Sequence, residues 1–155
     1  MTLFNPHALR NQLQPSQSVL GIDPGSKQIG LALSDISLML ASPLTIVMRK
    51  KLKQMLPIFQ ELCAQHAIGG IVVGLPLSLD GSFGPAARAA HDWAKDLSER
   101  LNIPTCLWDE RLSSSAVNRF LIQEADMSRK KRGDVVDKMA AAYMLQGWLD
   151  ATIAS

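Results

Sequence analysis

The run GGIVVG, from Gly69 to Gly74, constrains this chain more than any other segment. Its apolar residues are consecutive rather than alternating, so neither side of it can face water, and glycines bound it at both ends. This is the pattern of a strand buried on both faces. Such a strand needs helices above and below it, and the flanking segments supply them. In KLKQMLPIFQELCAQHA the residues Leu52, Met55, Leu56, Phe59, Leu62 and Cys63 fall on one helical face, with Pro57 expected to introduce an irregularity. In GPAARAAHDWAKDLSERL, Pro85 suits the first turn of a helix and the Ala, Trp and Leu positions form a stripe.

Upstream the pattern differs. SVLGID reads as a buried strand, PGSK as a turn, QIGLALSD as a second strand and the region around PLTIVM as a third. Short connections between them predict an antiparallel meander. Downstream, PTCLWDE is another strand, and SSSAVNRFLIQEA opens with serines able to cap a helix. After the basic segment SRKKRG comes DVVDKMAAAYMLQGWLD, a helix with an Asp at its start and an Ala-rich face. The order β-β-β-α-β-α-β-α-α predicts an α/β fold: a five-stranded mixed sheet, three strands in the meander and two reached by crossovers, with helices on both faces. Residues 1–16 carry Asn, Gln, Pro and Ser without a period and are expected to be a flexible extension. Residues 17–155 are expected to form a single domain, and a chain of 155 residues buries enough surface to fold without disulfides or metal staples.

Composition narrows the function. Sixteen Lys and Arg against 14 Asp and Glu leave a net charge of +2, which excludes a protein that coats nucleic acid by charge alone but not one with a local basic patch. An aromatic content of 5% speaks against a binder that stacks many exposed bases. Cys63 and Cys106 each sit in an apolar stretch and are expected to be buried, reduced thiols; no CxxC pair or Cys/His cluster suggests zinc. The N-terminal residues contain no apolar run of signal-peptide length, and no stretch approaches ~18 uninterrupted apolar residues. The expectation is a cytoplasmic protein without membrane contact.

Chemistry is suggested by acids placed where buried elements end. Asp23 closes the first strand within GIDPGS, Asp109 and Glu110 close the last within WDERL, and Asp137 lies between Val136 and Met139 in the final helix. An acid in such a setting is costly unless it is paired or binds a metal. A divalent ion gives three distant acids a common purpose: Mg²⁺ or Mn²⁺ takes oxygen ligands and leaves positions for water and phosphate.

The segments GIDPGSKQIGLALSD, VVGLPLSLDGSFGP, DERLSSSAV and VVDKMAAAYML resemble the signatures of the YqgF family, also called RuvX, from about Ser18 to Asp150. The resemblance implies an RNase H-like fold and a metal-dependent nuclease that processes the 5′ end of precursor 16S ribosomal RNA. It matches Asp23 to the first acidic position, places the second in the DER segment and matches Asp137 to the helix acid. In such a sheet GGIVVG lies between the first strand and PTCLWDE, so a side chain on the latter must reach across ~9.6 Å. Glu110 suits that reach better than Asp109, and the two point to opposite faces of a regular strand. Glu110 is preferred, with Asp109 as the alternative.

The family's distant relatives, the RuvC-type resolvases, carry a catalytic Glu on the strand beside the first. The corresponding run here, IVVGLP, has no acid, which argues against resolution of a Holliday junction. Asp23, Glu110 and Asp137 are thus the expected catalytic residues and ligands of Mg²⁺ or Mn²⁺. Lys27, Arg111, Arg129, Lys130, Lys131 and Arg132 are the candidate contacts to substrate phosphates. The expected partner is nucleic acid, structured RNA before a DNA junction, met by a monomer or weak homodimer. A non-catalytic nucleic-acid-binding module associated with transcription is the alternative from another class. GIDPGS also resembles the first phosphate loop of actin-like ATPases and sugar kinases, but those enclose a nucleotide between two such domains and this chain supplies one.

Overall fold

The computed structural model of the chain describes residues 3–25, 27–76, 82–109 and 129–153, and in the last stretch side chains from Met139 onward. The elements are β1 (Leu3–Phe4), α1 (Pro6–Gln12), β2 (Ser18–Pro24), β3 (Gln28–Ser34), β4 (Ala41–Met48), α2 (Leu52–Gln65), β5 (Ile68–Leu75), α3 (Pro85–Leu101), β6 (Thr105–Asp109) and α4 (Arg129–Ala151). They build a six-stranded sheet in the order β1-β6-β5-β2-β3-β4. The meander β2-β3-β4 is antiparallel, whereas β5 runs parallel to both β2 and β6. As the sequence predicts, GGIVVG lies in a central strand between SVLGID and PTCLWDE.

Two cores follow from the alternation of the strands. Leu20 and Ile22 of β2, with Ile71 and Val73 of β5, pack under α2 and α3 against Met55, Phe59 and Leu97. Val19 and Val72, on the other face, pack under α1 and α4 against Leu9, Leu145 and Trp148. α2 is continuous through Pro57, which lies on its exposed side. The missing amide costs one intrahelical bond, and the apolar stripe holds the helix regardless.

Two expectations are corrected at the N-terminus. The sheet has six strands rather than five, because β1 pairs parallel to β6 through Leu3–Thr105 and Phe4–Cys106. Nor are residues 1–16 irregular throughout. Asn5 caps α1 by accepting from the Ala8 amide at 2.7 Å, and Pro6 occupies its first turn. Leu9 is fully buried, and Pro6 accepts a hydrogen bond from the Trp148 indole at 3.0 Å. The Asn and Pro that read as loop chemistry are a helix start, in an element too short for its periodicity to show.

A third correction concerns α4. It begins at Arg129, so Arg129, Lys130, Lys131 and Arg132 form its opening turn instead of preceding the helix. The helix expected over SSSAVNRFLIQEA lies outside the described residues.

Candidate active site at the end of the sheet

Asp23 is the first residue of β2 that is not buried; Ser18 through Ile22 all are. It has the parity of Val19 and Gly21, so it belongs to the face covered by α4. Its side chain is partly buried and makes no hydrogen bond or ion pair to another described residue. A tight turn follows, with the Gly25 amide donating to the Asp23 carbonyl at 3.1 Å. Gly25 is required there, because a Cβ would collide with the Gln28 carbonyl.

β5 carries the register from Asp23 to the last strand. Ile22 pairs with Val73, Gly74 with Trp108 and Leu75 with Asp109. Leu107 packs into the α2/α3 core and Trp108 into the α1/α4 core. Asp109 shares the parity of Leu107 and so falls on the face opposite Asp23. Glu110 and Arg111 lie outside the described residues.

The third acid rides on α4, which runs antiparallel to β2 and β4. Gln146 accepts from the Ala41 amide at 2.8 Å, while Met139, further toward the helix start, shares an apolar cavity with Pro43. The first half of α4 therefore lies toward the C-terminal end of β2. Close approach is built in at two glycines. A Cβ at Gly21 would lie 2.9 Å from that of Leu145, and one at Gly147 would lie 3.2 Å from Trp108 Nε1. Position 137 precedes Ala141 by one turn and Leu145 by two, ~12 Å along the axis from Leu145. The side chains of Asp137 and of Arg129–Arg132 are outside the described residues, as are Asp80 and Asp134.

Other candidates sort by chemistry. Lys27 is exposed in the turn after Asp23. Asp35 is a turn residue: it accepts from the Ser37 hydroxyl at 2.6 Å and from the Met39 and Leu40 amides, and the Ser37 bond leads in lowering its pKa. His91 contacts its neighbour Asp92 at 3.1 Å and meets Phe83 edge-on. Both cysteines are free and buried. Burial pushes the Cys63 thiol up to about 11 and Cys106 higher still, so both stay protonated at neutral pH and neither is an activated thiolate nucleophile.

Among the described residues no group of three or more His, Cys, Asp or Glu side chains gathers to hold a metal. What is described of the site nevertheless fits a hard cation. Asp23 offers a partly buried carboxylate with no partner among those residues, and softer donors are held elsewhere. The sequence reading missed one residue beside the turn, Arg49, whose Nη1 donates to the Gly25 carbonyl at 2.9 Å. No local signal separates it from Lys50 and Lys51, because its role depends on the β3–β4 register.

An antiparallel meander continued by parallel crossover strands, with helices on both faces, is the architecture of an RNase H-like fold. The structure of T. thermophilus RuvC in complex with Holliday junction substrate shares this fold, with a TM-score of 0.52 at 14% identity over 88% of this chain and 96% of that one. The fowlpox virus resolvase, solved with Holliday junction DNA, does so at 0.54 and 10% over 89% and 100%. The family model described as RuvX, Holliday junction resolvase, matches residues 17–151, and the chain belongs to that family. A relative from Gluconobacter oxydans named "Putative pre-16S rRNA nuclease" is 67% identical over 98% of this chain and 95% of its own length. One of the same name from Gluconacetobacter diazotrophicus is 60% identical over 98% and 99%.

Proposed function

We propose that this chain is a metal-dependent nuclease that hydrolyses phosphodiester bonds of structured RNA in maturing the 5′ end of precursor 16S ribosomal RNA. The observation that carries the reading is Asp23: a partly buried carboxylate at the end of β2, on the α4 face, without a partner among the described residues. The names of the 67% and 60% identical relatives supply the substrate.

In this reading Asp23, Glu110 and Asp137 hold Mg²⁺ or Mn²⁺. Strand parity supports Glu110 over Asp109, because Asp109 falls on the face opposite Asp23. When bound, the ion lowers the pKa of a water and stabilises the leaving oxygen of the phosphodiester. The chain's own task is to hold three carboxylates ionised at one place and to position the strand. Lys27, Arg111 and Arg129–Arg132 take the phosphates. Four cations in a row open α4, and its first turn holds no acid, an arrangement opposed by the helix dipole. A polyanionic partner offsets that cost.

The test is cleavage of a 5′-extended 16S precursor fragment with Mg²⁺ or Mn²⁺ by wild type and Asp23→Asn. Loss of a carboxylate ligand is expected to lower the single-turnover rate by about 100-fold or more. Equal cleavage by both would sink the assignment. A four-way DNA junction assayed in parallel should not be nicked symmetrically, since β5 brings no acid beside Asp23.

A further inference from the structure

Arg49 follows β4 and holds the turn behind Asp23 at two points. Its backbone amide donates to the Lys27 carbonyl at 2.9 Å, one step past the Gln28–Met48 pair. Its Nη1 donates to the Gly25 carbonyl, also at 2.9 Å. The guanidinium lies over the Trp93 ring of α3, 5.7 Å from its centroid, and Trp93 meets Phe59 of α2 edge-on at 6.1 Å. A connected series thus runs from the helices on one face of the sheet, through Arg49 and Gly25, to the backbone of Asp23, whose side chain belongs to the other face. Among the described residues no carboxylate pairs with Arg49, so its charge is not consumed in an ion pair there.

We propose that Arg49 is a positioning residue that fixes the β2–β3 turn, and with it the Asp23 carboxylate, through the geometry of its guanidinium rather than its charge. A planar fork can donate to a carbonyl while stacking on an indole. A lysine ammonium carries the same charge as a point and cannot do both. The backbone bond to Lys27 survives replacement by Lys or Gln, but it leaves the Gly25 peptide free to rotate. Outer-sphere contacts of this kind orient the ligand that a metal meets. The proposal rests on the nuclease reading for its effect on cleavage, though not for its effect on the turn.

The experiment compares the full chain as wild type, Arg49→Lys, Arg49→Gln and Asp23→Asn by three readouts. These are amide hydrogen exchange at residues 25–28, Mn²⁺ binding by electron paramagnetic resonance, and single-turnover cleavage of the precursor fragment. In both Arg49 variants the turn amides are expected to exchange about tenfold faster. The Mn²⁺ dissociation constant and the cleavage rate should each worsen by about tenfold, with substrate KM held within about twofold. Arg49→Lys matching wild type in exchange and Mn²⁺ binding overturns the proposal. So does a loss confined to KM, which would mark a phosphate contact. If Arg49→Gln unfolds, Arg49→Lys decides alone. Asp23→Asn should keep wild-type exchange and lose Mn²⁺ binding. Wild type that cleaves no faster than Asp23→Asn defeats the nuclease reading, and exchange still decides the role of Arg49.

Discussion

Asp23 was legible at the residue level because a carboxylate that ends an apolar run contradicts its surroundings. Its neighbours were only half legible. Gly25 announces a turn, but that a Cβ there meets the Gln28 carbonyl is a property of the folded turn. The cysteines show the same division. Their apolar contexts predicted burial, and burial raises both thiol pKa values. In the unfolded chain a thiol ionises near its ordinary value of 9.0, while native Cys63 keeps its proton until about pH 11. The native state then binds more protons than the unfolded state, so this contribution is intact below pH 9 and lost as pH rises toward 11. Urea denaturation of wild type and Cys63→Ala should show the wild-type advantage shrinking across that window. A constant difference would mean the thiol does not titrate on unfolding.

Among the elements, the long periodic ones were readable and the short ones were not. α2 and α3 each bury a stripe that sequence spacing reveals, and β5 advertises its two buried faces. β1 has two residues and α1 seven, too few for a period to emerge. Their evidence is tertiary: Leu9 without exposure, Trp148 donating to Pro6, and Arg10 donating to the Leu149 and Leu38 carbonyls at 3.0 and 3.1 Å. The N-terminal segment is thereby part of the α4 core. Leu9→Ala should lower the unfolding free energy by about 2–5 kcal/mol, measured by urea titration. A change below about 0.5 kcal/mol, the scale of surface substitutions, would show that α1 is not integral.

At the scale of the whole molecule, the near-neutral charge conceals an arrangement. In the proposed reading, Asp23, Glu110 and Asp137 supply the acidic cluster, and four cations run through the first turn of α4, the helix that carries Asp137. If those cations track a phosphate backbone, binding must weaken with salt. Replacing Lys130, Lys131 and Arg132 by Gln should reduce the slope of log K against log salt by about 0.7 for each lost contact to a single strand. A slope unchanged in a fluorescence anisotropy titration would assign the run to solvent. The sequence by itself determined the α/β class, the central strand, the meander, the buried thiols and the candidate acids, because periodicity and misplaced charge are local records of burial. Only the tertiary structure decided that the sheet has a sixth strand, that Asp109 faces away from Asp23, and that Arg49 grips the Gly25 turn. Those facts depend on which strand lies beside which and in what register. Register is set by packing between segments far apart in the chain, which no local pattern encodes.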